Sequence, residues 1–329
     1  MLNIKRLLSP KSIAIIGASP NKEKIRGRIL SALISGGFEG QVFPVNPAHK
    51  KVQGISAYPS LHLISEPIDL ALIAIPATSV ANVLVECGNL GVKSAIIYSA
   101  GFAESGKQAG LLQQKISKIA HEQKIAVCGP NSVGCLNTYG NVNTSFSPGA
   151  RTYEHSSSNI RKRNVAVVSQ SGGLGFAVYN RGVARGIPFS YVISTGNEAN
   201  VSMLDFVDYL LDQDEVAVII IIAEQFRDAG RLLKVASKAL AKQKPLIVAK
   251  LGRSKAAKRG ALSHTGSMTG SERAYDAVFK YAGIIRADDQ DELLDIAAAF
   301  VSYPLVKGSN VGIITISGGV GVWLADICE

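Results

Sequence analysis

The segment Asn164-Val-Ala-Val-Val-Ser-Gln-Ser171-Gly-Gly joins a short apolar run to a turn of small residues, and two other segments share this pattern. Ser12-Ile-Ala-Ile-Ile-Gly17-Ala-Ser lies before it, and Asn310-Val-Gly-Ile-Ile-Thr-Ile-Ser317-Gly-Gly lies after it. Each apolar run predicts a buried strand, and the helical pattern behind each turn predicts the helix that follows. The runs begin at positions 12, 164 and 310 of 329, about one domain length apart, so we interpret the chain as three successive α/β units.

Further apolar runs alternate with helical patterns inside the first two units. Continuous apolar strands between helices are typical of a parallel sheet covered on both faces. The predicted strands are Ile13–Ile16, Gln41–Val45, Leu70–Ile75, Ser94–Tyr98, Ala126–Cys128, Val165–Val168, Tyr191–Ile193, Val216–Ile222 and Leu246–Ala249. The predicted helices are Gly27–Gly36, Ser79–Gly91, Lys107–Gln123, Gly175–Arg185, Met203–Leu211, Arg231–Lys242, Glu272–Tyr281 and Asp289–Ser302.

These patterns predict four parts: an α/β domain at 1–146, a polar, Ser-rich linker at 147–163, a second α/β domain at 164–303 and the start of a third at 304–329. The last part holds one strand and one helix, which cannot bury both of their apolar faces. We therefore expect either that the chain is a fragment of a longer protein or that this last pair docks on the earlier domains.

Composition excludes several classes of protein. Hydrophobic residues make up 47% and charged residues 18%, which excludes bulk disorder. The longest dense apolar run, Val216 to Ala223, is too short to span a membrane. The four cysteines lack the spacing of a metal or redox site, so we expect no metal site in this chain and a cytoplasmic location.

The net charge of +10, from 35 Lys+Arg against 25 Asp+Glu, allows two interpretations. One is a nucleic-acid-binding protein, and the other is a basic protein that handles polyanionic small molecules. The basic residues are scattered, and the densest group, Arg161 to Arg163, lies in the predicted linker. We favour the second interpretation and expect neither nucleic acid nor a membrane as a partner.

The turn Gly17-Ala-Ser19 predicts an anion site, because a strand-to-helix turn of small residues directs backbone N–H groups at a ligand. A dinucleotide is disfavoured, since G-x-G-x-x-G is incomplete and the second strand ends in Val45-Asn46-Pro47 without an acid for the ribose. Another phosphorylated nucleotide remains open. Lysines at 22, 24, 50 and 51 are either its phosphate ligands or solvated loop charges. Loops at Ile75–Ala77, Ser99–Glu104 and Gly129–Asn131 follow strands at the same sheet edge, which is where open α/β sheets bind ligands.

In the second unit, three features together are typical of phosphoryl transfer through a phosphohistidine. His264, in Ser263-His-Thr-Gly266, is either reactive or an ordinary loop residue. Glu224 ends a predicted central strand, where it either orients an imidazole or lies on the surface. The turn at 169–173 predicts an anion nest at a helix N-terminus.

A series of motifs resembles the NDP-forming acyl-CoA synthetases (ADP-forming acetate–CoA ligases), relatives of the succinyl-CoA synthetase α subunit. The motifs occur in the family's order over nearly the whole chain. They are Gly17-Ala-Ser19, Pro44-Val-Asn-Pro47, Ser99-Ala-Gly-Phe-Ala-Glu104, Gly129-Pro-Asn131, Ser169-Gln-Ser-Gly172, Ser194-Thr-Gly-Asn-Glu198 and Ser263-His-Thr-Gly266.

The resemblance implies a Rossmann-like CoA-binding domain, then a flavodoxin-like domain of the succinyl-CoA synthetase type that carries the phosphorylated His264, with Glu224 hydrogen-bonded to that histidine. The phosphoryl group is implied to rest on Ser169, Ser171, Gly172 and Gly173. The acyl substrate, a small carboxylic acid, is assigned to Gly196 and Asn197. CoA is implied to contact Gly17, Ala18, Ser19, Val45, Asn46, Pro47, Lys50, Ile75, Pro76, Ser99, Ala100, Gly101 and Asn131.

In this family, acid, CoA and ATP give acyl-CoA, ADP and phosphate reversibly, through an acyl phosphate and the phosphohistidine. ATP or ADP with Mg²⁺ binds an ATP-grasp domain, which nothing in this chain resembles. The resemblance therefore implies a partner, either a further ATP-grasp domain or a β subunit, and a homo- or hetero-oligomer.

The sequence departs from the family pattern at three places: Gln225 replaces a glycine after the orienting glutamate, Asn200 replaces an aspartate, and the linker Arg151–Arg163 is unusually basic. The first two put acetate in doubt as the substrate. A non-catalytic module that senses CoA or acyl-CoA, attached for example to a protein acetyltransferase, is the alternative function, although retention of His264 argues against it. An NAD-dependent oxidoreductase is the least favoured reading.

Overall fold

The computed structural model describes residues 3–150, 163–254, 272–303, 305–306 and 308–329. Its first sheet is parallel, with order β2-β1-β5-β6-β7, and its strands are buried because helices cover both faces. The strands of this part are β1 Ser12–Ile16, β2 Gln41–Val45, the short antiparallel pair β3 Lys51–Val52 and β4 Ile55–Ser56, β5 Leu70–Ile73, β6 Ser94–Ile97 and β7 Ala126–Cys128. The helices are α1 Ile4–Leu8, α2 Ile25–Ser35, α3 Ala77–Asn89 and α4 Lys107–Glu122.

The strand order of this sheet fixes where a ligand can enter. From β1 the chain crosses to β2 on one side, and then returns to β5 on the other side of β1. The connections after β1 and β5 therefore diverge and leave a crevice at their carboxyl ends, the usual ligand position in an open α/β sheet.

The second sheet has the order β14-β13-β12-β10-β11-β8-β9, and its strands from β10 to β14 are parallel. The chain runs from β10 to β11 on one side and then returns to β12 on the other side, so the switch point lies between β10 and β12. Its crevice therefore lies beyond Ser169 and Ala223. The strands are β8 Cys135–Asn137, β9 Val142–Asn143, β10 Asn164–Ser169, β11 Phe189–Ser194, β12 Val216–Ala223, β13 Leu246–Lys250 and β14 Ile285–Arg286. The helices are α5 Gly172–Ala184, α6 Met203–Leu210, α7 Ala229–Ala241, α8 Glu272–Ala282 and α9 Gln290–Ser302.

The predicted strands and helices of the first two units all form, with ends within three residues of the prediction. The antiparallel strands β8 and β9 were not predicted, because Cys-Leu-Asn and Val-Asn are too short to show a period. They extend the second sheet at β11, although they precede the predicted linker. The strands up to Cys128 thus belong to the first sheet, and those from β8 onward belong to the second. The predicted domain boundaries at 146, 163 and 303 remain a proposal.

The strand predicted at the start of the third unit does not form. Residues 310–316 join no strand in the described part of the chain, and Ile314 and Ile316 are fully exposed. A strand needs a neighbouring strand to satisfy its backbone groups, and the described residues place none beside this segment. The helix after it does form, as α10 Gly318–Cys328, with the Ser317 hydroxyl accepting from the Val320 N–H. None of the described helices is long and apolar enough to cross a membrane.

Candidate functional site

The turn after β1 is shaped by Gly17. Its φ is +86°, and a Cβ atom there would lie 2.7 Å from the Ala74 carbonyl oxygen, so no other residue fits without strain. The Gly17 N–H donates to the Val45 carbonyl at 3.1 Å, and the Ala18 N–H donates to the Ile15 carbonyl at 3.4 Å. These two N–H groups are therefore engaged within the protein, contrary to the expectation of free donors in this turn. Moreover, α2 begins only at Ile25.

Two amide side chains hold the loop after β1 in place. The Asn46 Nδ2 donates to the Ala18 carbonyl at 2.7 Å, and its Oδ1 accepts from the Ala48 N–H. The Gln53 Nε2 donates to the carbonyls of Ser19, at 3.1 Å, and Gly27, at 2.9 Å. Sequence reasoning selected Asn46 but missed Gln53, because a glutamine between short strands carries no motif. The loops after β1 and β2 thus form one braced wall of the crevice.

The loops after β5, β6 and β7 join the same edge. The Ser99 hydroxyl donates to the Ile75 carbonyl, and the Ser99 carbonyl accepts from the Asn131 N–H at 3.0 Å. The structure thus brings the residues predicted to bind CoA to one sheet edge. Within that set, Ala18 and Val45 are buried in its floor, Pro47, Lys50, Pro76 and Ala100 are exposed, and Gly17, Ser19, Asn46, Ile75, Ser99, Gly101 and Asn131 lie between these extremes.

Glu104 closes the loop after β6 and reaches the second unit. Its Oε1 accepts from the N–H groups of Gly101, at 2.6 Å, and Phe102, at 3.1 Å, while Oε2 accepts from the Asn197 Nδ2. Desolvation opposes ionisation of the Glu104 carboxyl, but the hydrogen bonds from Asn197, Phe102 and Gly101 outweigh it. They hold the pKa of Glu104 below its usual value.

The two residues assigned to the acyl substrate lie at the junction of the units. The Asn197 Nδ2 also donates to Gln113 Oε1 at 3.0 Å, and its Oδ1 lies 3.5 Å from the Asn131 Nδ2. Gly196 has φ +59°, and a Cβ atom there would lie 2.2 Å from the Pro130 carbonyl oxygen. The packing of Gly196 and the side-chain contacts of Asn197 are therefore with the first unit, whereas the Asn197 carbonyl accepts from Arg227 of the second unit. The assignment of both residues to the acyl substrate remains a prediction.

Asn200 also serves the junction. It stands where the family pattern has an aspartate, and its Oδ1 accepts from the Val127 N–H at 3.0 Å. The next residue, Val201, donates its N–H to the Val127 carbonyl. Because β7 is an edge strand, these two bonds satisfy backbone groups that no neighbouring strand pairs.

The turn after β10 presents the N-terminus of α5. The Ser169 hydroxyl donates to the Ser171 carbonyl at 2.5 Å, and Ser171 is the N-cap residue. A Cβ atom on Gly172 would lie 2.1 Å from Val133 Cγ2, whereas one on Gly173 would meet nothing within 4 Å. The first turn is thus pressed against Val133 on one side and open at Gly173. Its N–H groups and the helix dipole favour an anion there.

Glu224 lies at the same switch point, at the end of β12 beside β10. Its N–H donates to Gln170 Oε1 at 2.7 Å, and the Gln225 N–H donates to the same oxygen at 3.1 Å. Arg227 secures the loop further along by donating to the carbonyls of Asn197 and Glu198. Gln170 belongs to the motif Ser169-Gln-Ser-Gly172, but sequence reasoning did not predict it to be a site residue.

His264 falls in the range 255–271, outside the described residues. On either side of that range, Arg253 and Glu272 approach each other, with 3.6 Å between Arg253 Nε and Glu272 Oε2. Glu272 also pairs with Arg286 at 2.5 Å. Among the described residues, no group of three His, Cys, Asp or Glu side chains could hold a metal ion.

Comparison with known proteins gives two domain families. The CoA binding domain matches residues 11–138, and the succinyl-CoA ligase like flavodoxin domain matches residues 162–300. The ADP-forming acetate–CoA ligase of Methanocaldococcus jannaschii is 40% identical over 99% of this chain, which covers 44% of that protein. The alpha subunit of ADP-forming acetate–CoA ligase II of Pyrococcus furiosus is 39% identical over 97% of this chain, which covers 67% of that subunit.

A solved structure gives the same relationship. The dinucleotide forming acetyl-coenzyme A synthetase 1 of Ca. Korarchaeum cryptofilum, in complex with phosphate and ADP, superposes with a TM-score of 0.88 at 34% identity. The match covers 99% of this chain and 68% of that chain. This chain therefore spans about two thirds of the Pyrococcus furiosus alpha subunit and of the solved chain, and less than half of the Methanocaldococcus jannaschii protein. With both domains matched in order and similarity along its whole length, the chain belongs to the family of the ADP-forming acetate–CoA ligases, the NDP-forming acyl-CoA synthetases.

Proposed function

We propose that this chain is the CoA-binding and phosphohistidine-carrying part of an acid–thiol ligase that converts a carboxylic acid, CoA and ATP to acyl-CoA, ADP and phosphate. The observation that carries the proposal is the α5 N-terminus: its first turn is open at Gly173, and Gln170, in the turn that leads to it, accepts from the Glu224 N–H at the switch point of the second sheet. An anion-binding helix N-terminus next to a carboxylate suits a phosphorylated imidazole.

In the proposed reaction, the phosphoryl group on His264 lies against the N–H groups of Ser171, Gly172 and Gly173, with Ser169 beside them. A carboxylate oxygen of the acid attacks phosphorus, the histidine P–N bond breaks, and an acyl phosphate forms. The CoA sulfur then attacks the acyl carbon as the thiol gives up its proton, and inorganic phosphate leaves with the electrons of the C–O bond and takes up that proton. Glu224 accepts a hydrogen bond from the imidazole, which orients the ring and supports its charge.

The first sheet edge is proposed to bind CoA. Val45 and Ala18 form its apolar floor, and the exposed lysines at 22, 24, 50 and 51 follow β1 and β2 at that edge. Such a wall suits a ligand with an adenine ring and several phosphates, because ammonium groups compensate phosphate charge without a metal ion. Asn131 and Ser99 brace the far side of the crevice, nearest the second unit.

ATP, with Mg²⁺, is proposed to bind elsewhere, on an ATP-grasp domain or β subunit, and we propose that the working enzyme is an oligomer containing that part. The alpha-subunit naming of the Pyrococcus furiosus relative supports this arrangement. We place the protein in the cytoplasm because all four cysteines are free thiols, three of them buried.

The test uses the full-length protein, or this chain with its ATP-grasp subunit, and ATP labelled at the γ-phosphate. We expect label on His264, loss of label and of turnover in His264→Asn, and unchanged CoA binding by calorimetry. His121→Asn, on the exposed face of α4, is the matched control and retains label. CoA binding without label on the wild-type protein would favour the sensing module instead, and binding of NAD in place of CoA would refute the assignment of the first domain.

A further inference from the structure

Gln170 uses the whole hydrogen-bonding capacity of its side-chain amide. Its Oε1 accepts from the N–H groups of Glu224 and Gln225, and its Nε2 donates to the Gln225 carbonyl and to Glu198 Oε1, both at 3.1 Å. A primary amide offers two acceptor positions and two donor hydrogens, so none is left over. The backbone of Gln170 is fixed as well, because its N–H donates to the Ile222 carbonyl at the end of β12.

The fourth of these bonds ends on a buried carboxylate. Glu198 is 7% exposed, and its Oε1 also accepts from the Thr195 hydroxyl at 2.9 Å and the Met203 N–H at 3.1 Å. Burial raises the pKa of Glu198, and the nearby Arg227 guanidinium opposes that rise. Glu198 is therefore rigidly held, and it determines which end of the Gln170 amide faces it, since only the NH₂ end can donate.

With these contacts, the Gln170 side chain binds the backbone on both sides of the Glu224–Gln225 peptide. The direction in which the Glu224 carboxylate projects depends on that backbone, and neither Glu224 nor Gln225 lies in a helix or strand that would fix it. Arg227 restrains the loop two residues further on, through the carbonyls of Asn197 and Glu198.

We propose that Gln170 is a positioning residue: it fixes the backbone of Glu224 and with it the direction of the Glu224 carboxylate, and Glu198 in turn fixes the Gln170 amide. The proposal rests on the proposed function. Only an amide fits this position. A carboxylate at 170 keeps the two acceptor bonds but turns both donor contacts into oxygen–oxygen contacts, one of them with the Glu198 carboxylate.

The experiment compares Gln170→Glu, Gln170→Met, Glu198→Gln and the double variant Gln170→Glu/Glu198→Gln in the full-length protein. The readouts are the rate of labelling from γ-labelled ATP, kcat and KM for CoA. We expect Gln170→Glu and Gln170→Met to lower the labelling rate about tenfold to a hundredfold, the usual cost of a catalytic group displaced by about 1 Å, with KM for CoA unchanged. Glu198→Gln in the double variant removes the second negative charge but restores neither donor bond of the amide, so we expect it to recover only part of the rate lost in Gln170→Glu.

Hydrogen exchange of the peptide that contains Glu224 and Gln225 gives a readout independent of turnover. We expect faster exchange in Gln170→Met, which lacks the acceptor, and a melting curve close to wild type. Gln213→Glu is the matched control, because the side-chain Nε2 of Gln213 donates to the Tyr209 carbonyl, in the turn that leads to the opposite end of β12. Wild-type labelling rates in the Gln170 variants would overturn the positioning role while leaving the proposed function intact. An absence of label from the wild-type protein would overturn both.

Discussion

The two adjacent glycines at the start of α5 are expected to respond oppositely to the same substitution. In Gly172→Ala, the new methyl group would lie 2.1 Å from Val133 Cγ2 and 2.9 Å from Ser194 Oγ, so Val133 or the helix must move by about 1 Å. Such overpacking costs about 1–3 kcal/mol, against a gain in helix propensity of at most about 1 kcal/mol. We expect a net loss of about 1–2 kcal/mol in the free energy of unfolding.

In Gly173→Ala the methyl group meets nothing within 4 Å, so only the propensity gain remains, up to about 1 kcal/mol. The two variants should therefore differ by about 2 kcal/mol, although each adds a single methyl group to the same helix turn. Urea unfolding followed by circular dichroism measures both midpoints under identical conditions. If Gly172→Ala proves as stable as Gly173→Ala, the close packing of α5 on Val133 described above is wrong.

Three further predictions concern the junction of the two units. Gly196→Ala should lower the free energy of unfolding by about 2–3 kcal/mol, because its Cβ would lie 2.2 Å from the Pro130 carbonyl oxygen with φ at +59°, and a urea midpoint equal to that of wild type would contradict this. The pKa of Glu104 is lower in the folded state than in the unfolded state, so its ionised carboxylate stabilises the fold at pH values above the unfolded-state pKa. The stability advantage of wild type over Glu104→Gln should therefore shrink as the pH falls from 7 through the lowered pKa. An advantage that is constant with pH would argue against the hydrogen bonds to Asn197. Asn200→Ala should lower the free energy of unfolding by about 1–2 kcal/mol and speed hydrogen exchange of the Val127 N–H, which donates to Asn200 in the wild type. Equal exchange rates in the two proteins would show that water replaces the asparagine.

The hydrophobic pattern was sufficient to predict the framework of the first two units. Strands such as Val216–Ala223 are continuous apolar runs, and the period of such a run is a local property that survives folding. The loops that carry the candidate site could also be located, because parallel strands all end at the same edge of their sheet.

The partners of individual polar side chains could not be predicted. Gln170 and Glu224 are 54 residues apart in sequence, and Glu104 and Asn197 are 93 apart. No periodicity links such pairs, because the first depends on which strands become neighbours in the second sheet and the other on how the two sheets are placed relative to each other. Asn197 illustrates the difficulty: the motif located the residue, but the contacts of its amide with Glu104 and Gln113 could not be foreseen.

The hairpin β8–β9 affects how this protein folds during its synthesis on the ribosome. The hairpin emerges about fifty residues before its partner β11, so the edge of β8 that pairs with β11 stays unpaired while α5 is still being made. A first unit released early would expose that edge to other chains, a known route to aggregation. The change from the first sheet to the second lies just after Cys128, ahead of the hairpin, so a cut in the Ser-rich linker would leave β8 and β9, two strands of the second sheet, on the piece that carries the first sheet.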